Sequence, residues 1–266
     1  MDKSNLTDKS NPIDYKFDAP IKVVILAAGK GKRLESESAE LPKALRLACN
    51  RPLIRHVLDH LPFVAPQDIT IVVGYRKEQV IAELGPSYNY VEQEVLDGTA
   101  HAAEYARSAL EGFTGPVMVL YCDMPLLSVR TYAGILRRHI ETGADQTLLS
   151  GVIHPIPPYG RLIREHGRLV NIVEESACSP EQKLIDEVNV GIQVFNGSDM
   201  WDCLSRVPYD PKRNPPERYL TAAAGVYAQL GKTVEVYRLE DNDEATGVNS
   251  MDDLRKAEGL LKHKGG

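Results

Sequence analysis

The sequence lacks any apolar stretch long enough to cross a bilayer, which argues against a membrane partner. It also has no apolar core of a secretory signal, because residues 1–19 are polar and carry both charge signs. Cysteine is scarce, and no Cys-x-x-Cys pair or nearby histidine at metal-ligand spacing accompanies Cys49, Cys122, Cys178 and Cys203. These absences predict a cytoplasmic protein with reduced thiols.

Positive charge is not in excess, since the formal net charge is −6. This balance argues against nucleic acid as a partner, although a local basic loop can still attract an anionic small molecule. The sequence contains no internal repeat, and nothing in it indicates an oligomeric state. With 266 residues, the chain is long enough for one large domain with its own core. We expect residues 1–19 to form a flexible arm and residues 20–263 to form that single domain.

Apolar runs alternate with helical patterns along the chain. The expected strands cover residues 21–26, 69–73, 88–91, 117–121, 147–153, 160–174 (two strands about a turn), 188–195 and 232–238. The expected helices cover residues 51–61, 76–84, 99–111, 128–141, 196–205, 217–230 and 250–262, with caps at Thr99, Ser128 and Ser250. This order predicts an α/β fold with a Rossmann-like mixed, mostly parallel sheet flanked by helices.

The loop after the first expected strand is the most informative segment. Residues 21–34 read Ile-Lys-Val-Val-Ile-Leu-Ala-Ala-Gly-Lys-Gly-Lys-Arg-Leu, so an apolar strand leads directly into glycines and cations. Glycine lets the backbone approach an anion closely, and Lys30, Lys32 and Arg33 add positive charge. The segment matches neither the P-loop nor the Gly-x-Gly-x-x-Gly fingerprint, whose third glycine is replaced by Leu34. It indicates either a site for a nucleotide's phosphates or a plain turn with solvated lysines.

Asp123 follows the apolar run 116–121, at the kind of position where α/β proteins place ligands. A carboxylate there can cap the next helix or bind Mg²⁺, which takes one or two protein oxygens together with substrate phosphates. Because Ser128 is the better placed cap, we favour the metal role. For His101 and His154 we expect structural roles.

Short segments in a fixed order carry a family resemblance. After the glycine loop and Leu41-Pro42-Lys43 come Val91-Glu92-Gln93, Gly98-Thr99-Ala100-His101-Ala102, Tyr121-Cys122-Asp123-Met124-Pro125, Tyr159-Gly160-Arg161-Leu162, Ile172-Val173-Glu174-Glu175, Glu187-Val188-Asn189-Val190-Gly191, Glu217-Arg218-Tyr219-Leu220-Thr221 and Gly247-Val248-Asn249. Each segment is weak alone. Their order and spacing over about residues 21–260 resemble the sugar-phosphate nucleotidyltransferases, and within them the uridyltransferase arm of the bacterial bifunctional N-acetylglucosamine-1-phosphate uridyltransferases.

The resemblance implies a reaction in which a sugar 1-phosphate attacks the α-phosphorus of a nucleoside triphosphate and pyrophosphate leaves. It implies small-molecule substrates, UTP and N-acetylglucosamine 1-phosphate or a related hexosamine 1-phosphate, with Mg²⁺ as cofactor. It also divides the domain into a nucleotide-binding half, about residues 20–125, and a sugar-binding half, about residues 126–263. Two alternatives stay open: the same chemistry with CTP or another triphosphate and a different acceptor, and a catalytically silent sensor of nucleotide sugars.

The resemblance also implies roles for individual residues. Lys43 and Arg33 would be the catalytic cations, and Asp123 and Asn249 the metal ligands. The implied nucleotide-binding residues are Leu26, Ala27, Ala28, Gly29, Lys30, Gly31, Gln93, Gly98 and Thr99. The implied sugar-binding residues are Gly160, Glu174, Asn189 and Thr221. These residue types suit the chemistry, because two anions must be neutralised and aligned while the incoming phosphate is already a nucleophile.

Among the departures from the family pattern, two lie near the expected sugar pocket. Arg218 replaces the first of two tyrosines, and Ala222 replaces an aspartate. The resemblance places this segment beside the sugar, so we expect the arginine to add hydrogen-bond donors to an altered acceptor pocket. An acceptor with additional anionic or hydroxyl groups would be favoured.

Overall fold

The computed structural model describes residues 15–31, 34, 41–210, 212 and 215–264. Two cations of the glycine loop, Lys32 and Arg33, lie outside the described residues. The part of the expected arm that is described contacts the domain through Phe17, whose ring lies 5.5 Å from that of Phe63. The boundary between arm and domain stays a prediction.

The strands alternate with helices along the chain, as the apolar runs indicate. The strands of the described chain are β1 (Lys22–Leu26), β2 (Leu47–Ala48), β3 (Arg51–Pro52), β4 (Ile69–Val73), β5 (Asn89–Glu92), β6 (Pro116–Tyr121), β7 (Gln146–Val152), β8 (Arg161–Glu165), β9 (Arg168–Val173), β10 (Glu187–Asn196), β11 (Tyr209–Asp210), β12 (Glu217–Arg218) and β13 (Val234–Arg238). Its α-helices are α1 (Leu53–Asp59), α2 (Lys77–Leu84), α3 (Thr99–Tyr105), α4 (Val129–Thr142), α5 (Met200–Ser205), α6 (Ala223–Gln229) and α7 (Met251–Lys264).

One large mixed sheet forms the middle of the molecule. Its main path runs β13-β7-β10-β6-β1-β4-β5, and β8 and β9 extend it from β10. On the main path only β10 runs against the other strands, since it pairs antiparallel with both β6 and β7. The predicted α/β class with a mixed, mostly parallel sheet is therefore confirmed. The carboxyl ends of β1, β4, β5 and β6 lie along one edge, because these strands pair in parallel.

Both faces of the sheet are buried, which explains why its strands read as nearly continuous apolar runs. One core cluster contains Ile25 of β1 together with residues of α1, α2 and α4. The other contains Val24 of β1 together with residues of α3, α5 and α6. Neighbouring strand residues point to opposite faces, so one strand supplies both cores. In the described part of the chain, no helix has both the length and the apolar character needed to span a membrane.

Helix capping agrees with the sequence in two places and departs from it in one. The Ser128 hydroxyl accepts a hydrogen bond from the N–H of Thr131 at 3.2 Å, as predicted. Ser250 and Asp253 form the predicted capping box, in which each side chain accepts from the other residue's N–H. The cap of α3 is Gly98, not Thr99. The Thr99 hydroxyl instead accepts from the N–H of Leu220 at 2.9 Å, a contact that only the folded chain creates.

The helices expected at 99–111 and 217–230 are shorter than predicted. The first ends at Tyr105, after which residues 108–110 form a 3₁₀ turn. The second begins only at Ala223, because Glu217 and Arg218 pair with β11 as strand β12. This pairing outweighs the helical propensity of the segment.

Candidate nucleotide and sugar site

Two adjoining clefts open at the carboxyl ends of the parallel strands. The first, about 470 Å³, is lined by the end of β1, the loop after β5, the end of β6, Lys43 and Asn249. The second, about 200 Å³, lies between β6, β10 and the loop before β8. Tyr121, Asp123 and Asn249 line both clefts. Ligands in the two clefts would therefore meet at these three side chains.

Lys43 lies at the meeting point of the clefts. Its ammonium forms a short ion pair with the Asp123 carboxylate and donates a hydrogen bond to the Asn249 amide oxygen at 2.8 Å. The Lys43 and Asp123 side chains are only 15% and 16% exposed, so water screens this pair less than a surface pair. The fold thus brings together three side chains that lie far apart in the chain.

The glycine loop shapes one wall of the first cleft. A side chain at Gly29 would meet no atom within 4 Å, so the space above it is open. Gly31 has φ +71°, and a Cβ there would lie 3.1 Å from that of Lys43. The Lys43 N–H donates to the Gly29 carbonyl at 3.2 Å, which fixes the lysine against the loop. Loop and lysine therefore form one unit.

Not all of the other residues implied to bind the nucleotide line the first cleft. Leu26 and Ala28 line the first cleft, whereas Ala27 is buried in the core beneath it. The Lys30 ammonium lies 5.4 Å from the centre of the Tyr75 ring, outside the cleft lining. Arg33, implied as the second catalytic cation, lies outside the described residues.

The loop after β5 forms the opposite wall. Gln93 is 5% exposed, and its side-chain amide donates to the Gly98 carbonyl at 3.3 Å. Gly98 has φ +113°, and a Cβ there would overlap the backbone of Arg218. Only glycine fits this close approach. The loop leaves the amide of Gln93 at the first cleft, where an amide can both donate to and accept from a base.

The second cleft gathers the four residues implied for sugar binding. They are Gly160, Glu174, Asn189 and Thr221, which come from four separate parts of the chain. The Thr221 hydroxyl donates to the Glu174 carboxylate at 2.5 Å. A register shift in β10 lies between Asn189 and Gln193, and it lets the Asn189 side chain accept from the N–H of Gly191 at 3.2 Å. The bulge thus helps to orient Asn189 at the cleft.

Several lining residues were not assigned from the sequence. Tyr121 stands between the clefts, and Tyr159 lines the second. Burial raises the pKa of the Tyr121 hydroxyl, so this group stays protonated at neutral pH. Both tyrosines belong to the motifs that carry the resemblance, but a buried aromatic residue at a strand end has no distinctive sequence signal.

The expectation for Arg218 is wrong. The residue is 7% exposed and lines neither cleft. The guanidinium instead donates to Glu104 of α3 at 2.6 Å and to the Val207 carbonyl at 3.0 Å. Ala222 also lines neither cleft, so the two substitutions provide no structural basis for an altered acceptor. Arg218 replaces a tyrosine of the family pattern but acts as a tie between α3 and the end of α5.

Replacing Gly98 with alanine should damage both the fold and the first cleft. Positive φ and overlap with the Arg218 backbone together should lower the free energy of unfolding by about 3 kcal/mol or more. Gly231→Ala is the matched control, because Gly231 has φ +70° but no atom within 4 Å of its Cβ position, so about 1–2 kcal/mol is expected. Urea unfolding measures both. Equal losses would contradict the close approach.

Replacing Arg218 with methionine should destabilise the protein without changing which sugar phosphate it prefers. The change leaves the Glu104 carboxylate without its ion-pair partner, at a cost of about 3–5 kcal/mol. Arg206→Met removes an exposed ion pair with Asp202 and should cost less than about 1 kcal/mol. Thermal or urea unfolding tests the difference, and a changed acceptor preference in Arg218→Met would restore the overturned expectation.

The chain is similar to known nucleotidyltransferases over most of its length. The bifunctional protein GlmU of Brevibacillus brevis is 36% identical over 245 residues, or 92% of this chain and 52% of that protein. GlmU of Pelotomaculum thermopropionicum is 36% identical over 242 residues, with 91% and 52% covered. The chain thus spans about half the length of the curated relatives it matches.

A solved structure and a family model also match this chain. A crystal structure described as a glucose-1-phosphate thymidylyltransferase from Bacillus anthracis, in complex with a sucrose, aligns with a TM-score of 0.72 and 18% identity. The alignment covers 90% of this chain and 94% of that chain. Because the identity is this low, the alignment shows a shared fold only. The model of the MobA-like NTP transferase domain matches residues 23–177. The chain therefore belongs to the family of MobA-like NTP transferase domains, and the nucleotidyltransferase resemblance of its motifs is confirmed.

Proposed function

We propose that the protein transfers the uridylyl group of UTP to a hexosamine 1-phosphate, N-acetylglucosamine 1-phosphate being the first candidate, and releases pyrophosphate. The observation that carries the proposal is the convergence of Lys43, Asp123 and Asn249 where the two clefts meet. A triphosphate in the first cleft and a sugar 1-phosphate in the second would bring their phosphates together at this point. The relatives named GlmU support the same reaction class.

The two clefts divide the work of binding. The half at about residues 20–125 supplies the glycine loop and Gln93 for the triphosphate and the base. The half at about residues 126–263 supplies Glu174 and Asn189, which can accept from and donate to sugar hydroxyl groups. The Gln93 amide at the wall of the first cleft can both accept from and donate to the imide edge of uracil, whose N3–H lies between two carbonyl oxygens.

The chemistry requires charge neutralisation and alignment more than covalent catalysis. Lys43 is placed to neutralise charge where the phosphates meet, while the oxygen of the sugar phosphate attacks and pyrophosphate leaves. Cys122 also lines the first cleft, but burial raises the pKa of its thiol to about 12. The thiol is therefore protonated at neutral pH and is a poor nucleophile.

The described cysteines are free, which supports the proposed cytoplasmic location.

Asp123 and Asn249 fit a divalent metal of the Mg²⁺ type. Both direct a hard oxygen at one cationic centre, the Lys43 ammonium, and Mg²⁺ needs few protein oxygens when phosphates supply others. Among the described residues no group of three or more His, Cys, Asp or Glu side chains could hold a metal. We propose Asp123 and Asn249 as the protein donors, with phosphates supplying the others. When bound, Mg²⁺ would supply further neutralisation of the phosphates.

The decisive experiment is a pyrophosphate-release assay across UTP, CTP, ATP, GTP and dTTP, each combined with a panel of sugar 1-phosphates. We expect the highest kcat/KM with UTP and N-acetylglucosamine 1-phosphate or a related hexosamine 1-phosphate. A preference for a purine triphosphate would contradict the role of Gln93. Preference for CTP or another acceptor would keep the chemistry and change the substrates. Binding of a nucleotide sugar without turnover would indicate a sensor.

Lys43 and a divalent cation should compete for the same oxygens when no triphosphate is present. Removing the ammonium in Lys43→Met should tighten Mn²⁺ binding by about tenfold, which corresponds to about 1.4 kcal/mol, because the Asp123 carboxylate loses its internal partner. Asp123→Asn should weaken Mn²⁺ binding and lower turnover by about a hundredfold or more. Electron paramagnetic resonance of free Mn²⁺ measures the binding.

The control for charge alone is Lys30→Met. The Lys30 ammonium is near the Tyr75 ring rather than Asp123, so this variant should bind Mn²⁺ like the native protein. If Lys43→Met also binds Mn²⁺ like the native protein, the two cations do not share a site. If Asp123→Asn keeps native metal binding and turnover, the metal assignment is wrong.

A further inference from the structure

Arg161 is a buried cation that the proposed reaction does not use. It begins β8 directly after Gly160 and is 3% exposed. Its guanidinium donates from Nη1 to the Pro157 carbonyl at 3.0 Å and also to the Tyr159 carbonyl. Its Nε is buried without a hydrogen-bond partner. Within the part of the chain that the structure describes, Arg161 forms no ion pair.

Such an arrangement is unfavourable for stability by itself. A buried charge without an opposite partner carries a large desolvation cost, and an apolar residue of similar volume would usually be at least as stable. What the guanidinium does provide is a rigid, planar set of donors that can hold two carbonyl groups of one loop. Arg161 therefore fixes the backbone of residues 157–159 more firmly than an apolar side chain could.

This loop is the wall of the second cleft. Pro158, Tyr159 and Gly160 line the cleft, whereas Arg161 itself does not. The Gly160 carbonyl accepts from the N–H of Asn189 at 2.8 Å, so the loop also sets the position of a second lining residue. Movement of this loop would change the shape of the cleft on both sides.

The loop is also linked to the Asp123 and Asn249 pair. The Tyr159 hydroxyl donates to the Ala245 carbonyl at 2.9 Å and accepts from the N–H of Gly247 at 3.1 Å. Two residues beyond Gly247 lies Asn249, and the intervening Val248 donates its N–H to the Asp123 carbonyl at 2.9 Å. A shift of Tyr159 would therefore move the backbone that carries the Asp123 and Asn249 side chains.

We propose that Arg161 is a positioning residue for the acceptor. It holds the 157–159 loop so that a sugar 1-phosphate in the second cleft lies in line with the triphosphate at Asp123 and Asn249. This inference rests on the proposed function, because it assigns the second cleft to the acceptor. The glycine loop and Gln93, which form the rest of the first cleft, are not contacted by this loop, so Arg161 should affect the acceptor more than the nucleotide.

The test compares Arg161→Met with Arg161→Lys and with Arg164→Met. Arg164 lies on the same strand but forms a more exposed ion pair with Glu187 at 2.9 Å, away from both clefts. We expect Arg161→Met to raise KM for the sugar 1-phosphate by about tenfold or more and to raise KM for UTP by clearly less. Arg161→Lys should recover part of the loss, since one ammonium can still reach a carbonyl. Arg164→Met should keep both KM values.

Hydrogen–deuterium exchange supplies a readout that does not need turnover. In Arg161→Met the amide hydrogens of the non-proline residues in 153–160 and 245–249 should exchange faster than in the native protein and in Arg164→Met. Unchanged KM values in a folded Arg161→Met, or unchanged exchange in these segments, would overturn the proposal and show that Arg161 serves stability alone. Should Arg161→Met fail to fold, Arg161→Lys is measured instead. A raised KM for the sugar 1-phosphate would support the proposal, and two unchanged KM values would overturn it.

Failure of the proposed function gives a different result. If native protein releases no pyrophosphate with any triphosphate and sugar 1-phosphate, the acceptor role of Arg161 falls together with that function. If native protein is active and only the Arg161 prediction fails, the proposed function stands.

Discussion

The contact of Lys43 with Asp123 and Asn249 is the interaction around which the site is arranged. Asp123 lies two residues after the central strand β6, Asn249 precedes α7, and Lys43 is fixed to the glycine loop because its N–H donates to the Gly29 carbonyl. One cation thereby holds together three distant parts of the chain. Because both clefts open onto this contact, a change in its charge would alter the electrostatic potential in both clefts.

A close backbone approach at Gly98 and two buried arginines hold the backbone around the Lys43 contact in place. Gly98 lies against the backbone of Arg218, and the Arg218 guanidinium in turn ties α3 to the end of α5. On the other side, Arg161 grips the loop that carries Tyr159. Both arginines are buried and neither lines a cleft, so their contribution is to hold backbone segments in place rather than to contact ligands.

Much of the site could be anticipated from the sequence, because its parts follow strand ends. Asp123, Gln93 and Gly29 each come directly after an apolar run, and parallel strands bring their carboxyl ends to one edge. The role of Arg218 could not be anticipated in this way. Whether an arginine lines a cleft or turns into the interior depends on Glu104, which lies 114 residues away in the chain. For the same reason the cap of α3 shifts from Thr99 to Gly98.

The sequence by itself determined the α/β class, the mixed sheet and the family, since these follow from the period of apolar residues and from the order of short motifs. The tertiary structure alone decided which side chains meet. It placed the Lys43 ammonium between Asp123 and Asn249, set Tyr121 between two clefts, and buried Arg161 behind the 157–159 loop. Such contacts depend on strand order and on a bulge in β10, which act over distances that a local sequence pattern does not contain.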